Sequence, residues 1–241
     1  SSNNISAFLM KELGPEALAR MMRQMGIRSH IDEVYSLCVG PVEVSVFDMV
    51  SAYNTFPSHG TYITPQYVTR ITDNDGRELG SFTTQKREAI SEQTAYLMVN
   101  LMSGVINEGT GSRLRSVYDL RGEIAGKTGT TNDNSDGWFI GYTPNITAGV
   151  WVGGEDRQVH FNSLALGSGS NMSLPIWGIW MRKCLADPSI GWSMENDHFL
   201  APSTGIPGLD CEKDGIFLGG YNHEDAVKGN EEKQEEDYYF N

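Results

Sequence analysis

Four consecutive residues, Lys127-Thr128-Gly129-Thr130, hold an ammonium, two hydroxyls and a backbone position with no side chain to keep a ligand away. They lie in GEIAGKTGTTNDNSDGWFIGYTPNITAGVWVGG, Gly122 to Gly154. This stretch reads as a strand holding Lys127 to Thr130, a polar connection at Asn132 to Ser135, a strand Trp138 to Tyr142, a Pro144-Asn145 turn and a strand Ile146 to Val152. The last two alternate as a hairpin does. On the first strand a period of two puts Thr128 and Thr130 on one face and Lys127 and Gly129 on the other. Such a set suits an anionic, hydrogen-bonding ligand at the edge of a cleft. The plainer reading is a solvated edge lysine beside two strand-forming threonines. A second polar cluster, Ser1-Ser2-Asn3, stands at the mouth of the first helix, where such residues ordinarily cap.

GEIAGKT also looks like a phosphate-cradling loop, and its spacing excludes that. The motif needs four residues between its first Gly and the Gly-Lys pair, whereas Gly122 and Gly126 enclose three, and the position required for Gly is Arg121. A helix must follow the lysine, and here turn residues and a strand follow instead.

The elements that must position these groups come in order. Ser1 to Leu13 predicts a buried helix with Ile5, Phe8, Leu9 and Met10 inward and the Ser/Asn cluster as its cap. Pro15 to Met25 predicts a second helix with Leu18, Met21, Met22 and Met25 on one face and Gly26 as its stop. Ser45, with Asp48 three residues on, opens a helix from Val46 to about Phe56, with Phe47, Val50, Ala52 and Tyr53 packing. Tyr67 to Thr72 and Glu78 to Phe82 flank Asp73-Asn74-Asp75-Gly76, a hairpin turn. Ser91 caps a helix from Glu92 to Ile106. Asn107 to Ser112 is too glycine-rich for either regular element and reads as a loop over the cleft. After a loop from Leu166 to Ser173, Ser173-Leu174-Pro175 starts a helix carrying Ile176, Trp177, Ile179, Trp180 and Met181 that should pack on the sheet.

At 241 residues and 39% hydrophobic, the chain can bury a substantial core. A net charge of -13 argues against nucleic acid or an anionic membrane surface as the main partner. Cys38, Cys184 and Cys211 allow at most one disulfide, and none stands at metal-ligand spacing with His. No apolar run reaches membrane-spanning length. Trp138 reads as packing, His59 and His160 as surface or satisfied loop residues, and Cys184 as an inert core thiol. Beyond Asp187 the pattern weakens, and Glu224 to Asp237 carries seven Asp/Glu against two Lys, the composition of a mobile tail. The expected division is residues 1–186 and an extension, 187–241.

Ser-x-Asn followed far downstream by Lys-Thr-Gly is two thirds of a motif set shared by penicillin-binding proteins and serine β-lactamases. Around them, EVSVFDMVSAYNTFPSHG, the Gly109-Thr110-Gly111 triplet, AGKTGTTNDNSDGWFIGYTP, VWVGG and NMSLPIW resemble the transpeptidase domain of the class A (bifunctional) penicillin-binding proteins over roughly residues 1–186. The resemblance implies an α+β fold of the penicillin-binding protein and serine β-lactamase type, an antiparallel sheet packed by helices with a helical subdomain. It implies a peptidoglycan D,D-transpeptidase acting on stem peptides and inhibited by β-lactams. Ser1, Asn3 and Lys127 would be catalytic, and Thr128, Gly129 and Thr130 would bind substrate, with no cofactor and no metal.

The family's Ser-x-x-Lys motif, source of its nucleophile, would precede Ser1; no serine here has a lysine three residues later. The nucleophile, and an anchor holding the protein on the periplasmic side of a membrane, are therefore expected upstream in an intact parent, with this chain alone inactive. The alternatives are a D,D-carboxypeptidase or β-lactamase, in which water takes the acyl group, and a catalytically silent binding or sensory domain.

Overall fold

The computed structural model describes residues 2–203. Ser1, Cys211 and the acidic tail fall outside the described residues.

Two helices open the chain, α1 (Asn3–Leu13) and α2 (Pro15–Gln24). Pro15 pre-sets the first turn of α2, and Gly26, at φ 96°, ends the helical path where expected. α1 departs from expectation: Met10 is buried, but Ile5, Phe8, Leu9 and Leu13 are 50–69 % exposed. Its i, i+3, i+4, i+8 apolar stripe faces away from the elements it touches, α2 and a short 3-10 turn, Tyr35–Val39. Ser2, its N-cap residue, makes no side-chain capping bond.

The next helices follow their local signals. α3 (Val46–Tyr53) starts where the Ser45 hydroxyl accepts the Asp48 N–H at 3.0 Å, a cap that contributes about 1 kcal/mol. Phe47, expected to pack, is exposed. Then β1 (Thr61–Ile63), β2 (Arg70–Thr72), β3 (Glu78–Ser81) and β4 (Lys86–Glu88) form two nested antiparallel pairs, β1 with β4 and β2 with β3. The Asp73 carboxylate shapes the inner turn by accepting the N–H groups of Asp75 (3.0 Å) and Arg77 (2.8 Å). α4 (Glu92–Asn107) is capped by Ser91, whose hydroxyl accepts the Thr94 N–H at 3.2 Å. It buries Ala95, Val99, Met102 and Ile106, and a short α5 (Arg113–Ser116) follows.

The central sheet runs β5 (Ala125–Thr130), β6 (Asp136–Tyr142), β7 (Thr147–Gly153), antiparallel in that order. Alternation along β6 divides the core: Tyr142 joins Phe56, Ala52, Val99 and Met102 on one face, and Phe139 joins Trp177, Leu174 and Met181 on the other. After α6 (Leu164–Gly167) comes α7 (Gly169–Leu185), lying on that second face. The Trp177 ring sits edge-on to Phe139 at 5.4 Å, and its Nε1–H donates to the Ala148 carbonyl at 3.1 Å.

α7 starts four residues earlier than Ser173-Leu174-Pro175 indicates. Pro175 lies inside the helix, and Ser173, buried, donates its hydroxyl to the Gly137 carbonyl at 2.5 Å instead of capping. Beyond α7, Phe199 packs on Tyr142 with ring centroids 5.8 Å apart, and its N–H donates to Glu123 at 2.6 Å. Among the described residues no helix is long and apolar enough to cross a membrane.

Candidate active site

β5 is an edge strand bonded only to β6, so half its backbone polar groups face away from the sheet. Lys127 stands opposite Ile140, Thr128 opposite Phe139, Gly129 opposite Trp138 and Thr130 opposite Gly137. Cross-strand partners share a face, so Thr128 and Thr130 lie on the α7 side and Lys127 and Gly129 on the other, as the alternation requires. The Thr131 N–H donates to the Asp136 carbonyl at 3.2 Å. In an antiparallel ladder the neighbouring Thr130 N–H then points outward, to the open edge.

Burial pushes the Lys127 ammonium below the ordinary lysine pKa of 10.5. Its Nζ donates to the Thr128 carbonyl at 2.8 Å, which fixes the charge beside the outward edge of the strand. The Thr130 hydroxyl accepts the Gly169 N–H at 3.0 Å, so it serves the first residue of α7 and still has its own proton to donate. The Thr128 hydroxyl lies 2.7 Å from the Thr110 hydroxyl, on the turn between α4 and α5. The loop read at Asn107 to Ser112 does come over the strand.

The Gly129 position is also crowded on its inner side. A Cβ there would sit 3.1 Å from Trp138 Cβ, so Trp138 crosses the inner side of that position. At Gly169 a Cβ would meet the Gly129 carbonyl at 2.2 Å and the Trp138 carbonyl at 2.5 Å, which is why α7 can bring its first turn against β5 and β6. The sequence assigns no site role to Thr110, quoted only within its triplet, nor to Gly169 or Arg113, whose guanidinium reaches the Ser170 carbonyl (3.2 Å) and the Asn171 side chain. The glycines flanking Thr110 were the available signal.

Asn3 lies in the exposed first turn of α1, and Ser1 falls outside the described residues. A recess of about 220 Å3 between α4 and the approach to β5 is lined by Tyr96, Asn100, Arg115 and Glu123, not by Lys127, Thr128 or Thr130. Its Arg115 is engaged with Asn107 and the Leu120 carbonyl. No group of three or more His, Cys, Asp or Glu fit to hold a metal comes together among the described residues.

Residues 1–155 match the model of the penicillin binding protein transpeptidase domain. The chain belongs to that family. It is 34% identical over 182 residues to penicillin-binding protein 1A of Aquifex aeolicus, covering 76% of this chain and 24% of that protein. It is 28% identical over 232 residues to penicillin-binding protein 1A of Neisseria meningitidis, covering 90% of this chain and 28% of that one. Among solved structures it is similar to the PonA1 protein of Mycobacterium tuberculosis in complex with penicillin V, with a TM-score of 0.66 at 25% identity over 82% of this chain and 56% of that one. The chain thus spans about a quarter of the length of the curated relatives it matches.

Proposed function

We propose that this chain is the carboxyl-terminal part of a serine D,D-transpeptidase domain, residues 1–186 with an extension at 187–241, whose parent cross-links peptidoglycan stem peptides and is acylated by β-lactams. The observation that carries the reading is the β5 edge: a half-buried lysine beside two hydroxyls that share a face, within a chain of this family.

In the parent, an upstream serine Oγ attacks the carbonyl carbon of the penultimate D-alanine. The peptide C–N bond breaks, and the terminal D-alanine leaves with a proton on its nitrogen. The amine of a neighbouring stem peptide then attacks the ester, forming the cross-link and restoring the serine. Lys127 favours the donor's terminal carboxylate and, with Ser1, passes the proton to the leaving nitrogen. The Thr128 and Thr130 hydroxyls donate to that carboxylate, and Gly129 keeps the strand between them free of a side chain. The outward Thr130 N–H supplies half of an oxyanion hole, and Asn3 positions the donor amide. The parent works outside the cytoplasm, held by a membrane anchor upstream.

Lys127→Ala in the full-length parent should slow acylation by labelled penicillin a hundredfold or more, the scale of one oxyanion-type or acid–base contribution of about 2.7–4 kcal/mol. Unchanged labelling would remove Lys127 from the chemistry. Products formed with and without an amine acceptor separate transpeptidase from carboxypeptidase.

A further inference from the structure

We propose that Thr110 is a positioning residue for carboxylate recognition: it donates its hydroxyl proton to Thr128 Oγ1 and so commits the Thr128 proton to the bound ligand. The inference rests on the reading of Thr128 given above. The two oxygens are 2.7 Å apart, an ordinary O–H···O distance, and one proton lies between them. A threonine hydroxyl has one proton to give. At Thr130 the question of polarity is already settled, because the Gly169 N–H can only donate and leaves the Thr130 proton for something else. At Thr128 either polarity satisfies the pair, but only one satisfies a ligand. A carboxylate only accepts, so the chain Thr110 to Thr128 to carboxylate pairs every group, whereas the reverse turns a Thr128 lone pair against the anion.

The turn that presents Thr110 is built tightly. The Gly109 and Gly111 N–H groups both donate to the Val105 carbonyl, at 3.1 and 2.9 Å. A Cβ on Gly109 would fall 2.9 Å from the Val105 backbone, and one on Gly111 would fall 2.6 Å from Ile106 Cδ1. Neither position admits a side chain without a shift, so the turn closes on the end of α4 and leaves Thr110 exposed over β5. Arg113 ties the turn to Ser170 and Asn171 at the start of α7, the segment that also supplies the Gly169 N–H to Thr130. One polar frame therefore sets both hydroxyls of the strand. Thr110 itself buries no core surface, so packing gives no reason for a hydroxyl there.

The test uses the full-length parent and the second-order acylation rate for a penicillin free acid and for its methyl ester, which lacks the anion. Thr110→Val should slow the free acid about 5- to 10-fold, the worth of one hydrogen bond, and leave the ester rate alone. Thr110→Ser should restore the free-acid rate, and Thr110→Ala, which also lacks the hydroxyl, should slow the free acid alone even if valine disturbs the turn. Equal slowing of acid and ester, or no slowing of either, overturns the proposal. Thr128→Val separates the two readings. If it removes the preference for the acid while Thr110→Val does not, only the role of Thr110 falls; if it leaves that preference intact, the reading of Thr128 falls and takes this inference with it.

Discussion

At the residue scale the lowered pKa of Lys127 has a sign that can be tested. Partial burial disfavours its charged form, and its Nζ stays on the Thr128 carbonyl, 2.8 Å away. A lysine loses its charge as pH rises through its pKa, so a depressed pKa brings that loss to lower pH. If the ammonium attracts the ligand carboxylate, acylation of the full-length parent by a penicillin free acid should fall on the alkaline side with a midpoint below 10.5. The pH profile of the acylation rate reads this directly. A plateau extending through 10.5 would mean that the charge on Lys127 does not govern binding. The same depressed value makes stability rise with pH across the interval from the folded pKa up to the unfolded one, because there the unfolded chain holds more protons.

At the element scale, β5 is held between α4 on one face and α7 on the other, and α7 also covers β6 and β7. Trp177 is fully buried between α7 and the sheet, its ring against Phe139 and its N–H on the Ala148 carbonyl, so Trp177→Ala should cost about 3–5 kcal/mol. Removing the α3 cap with Ser45→Ala should cost only about 1 kcal/mol. Urea unfolding of both variants checks the ordering, and a loss at Trp177→Ala no larger than that at Ser45→Ala would show that Trp177 is not a main anchor of α7 on the sheet. α3 and α4 were legible at their starts because Ser45 and Ser91 cap from the adjoining residue. The start of α7 was not legible: its first N–H is satisfied by Thr130, 39 residues away in sequence, and Pro175 imitates a helix opening that belongs to Gly169. β1 and β4 are three residues each, too short for a periodic signal, and were missed. The face of α1 was misjudged because periodicity locates an apolar stripe without saying whether anything covers it. Lys127, Thr128 and Thr130 could be placed on their faces from alternation alone, whereas Thr110 joins them only through a tertiary contact.

At the scale of the whole molecule, the groups on β5 can hold an anion, orient a carbonyl and move a proton, but none of these operations makes a covalent bond to carbon. The family chemistry read here needs a serine activated by a lysine three residues on, and no serine in this sequence has one. With a net charge of -13, the chain also offers little long-range attraction to an anionic substrate, so on the proposed reading recognition rests on the local field of Lys127 and the donors beside it. On the proposed reading the 241-residue chain should form no denaturation-stable adduct with a fluorescent penicillin, while a longer chain that supplies a Ser-x-x-Lys segment should label. Gel fluorescence after denaturation distinguishes the two. A labelled band from the 26.6 kDa chain itself would mean that one of its own hydroxyls is nucleophilic, and would move the reaction centre into the residues described here.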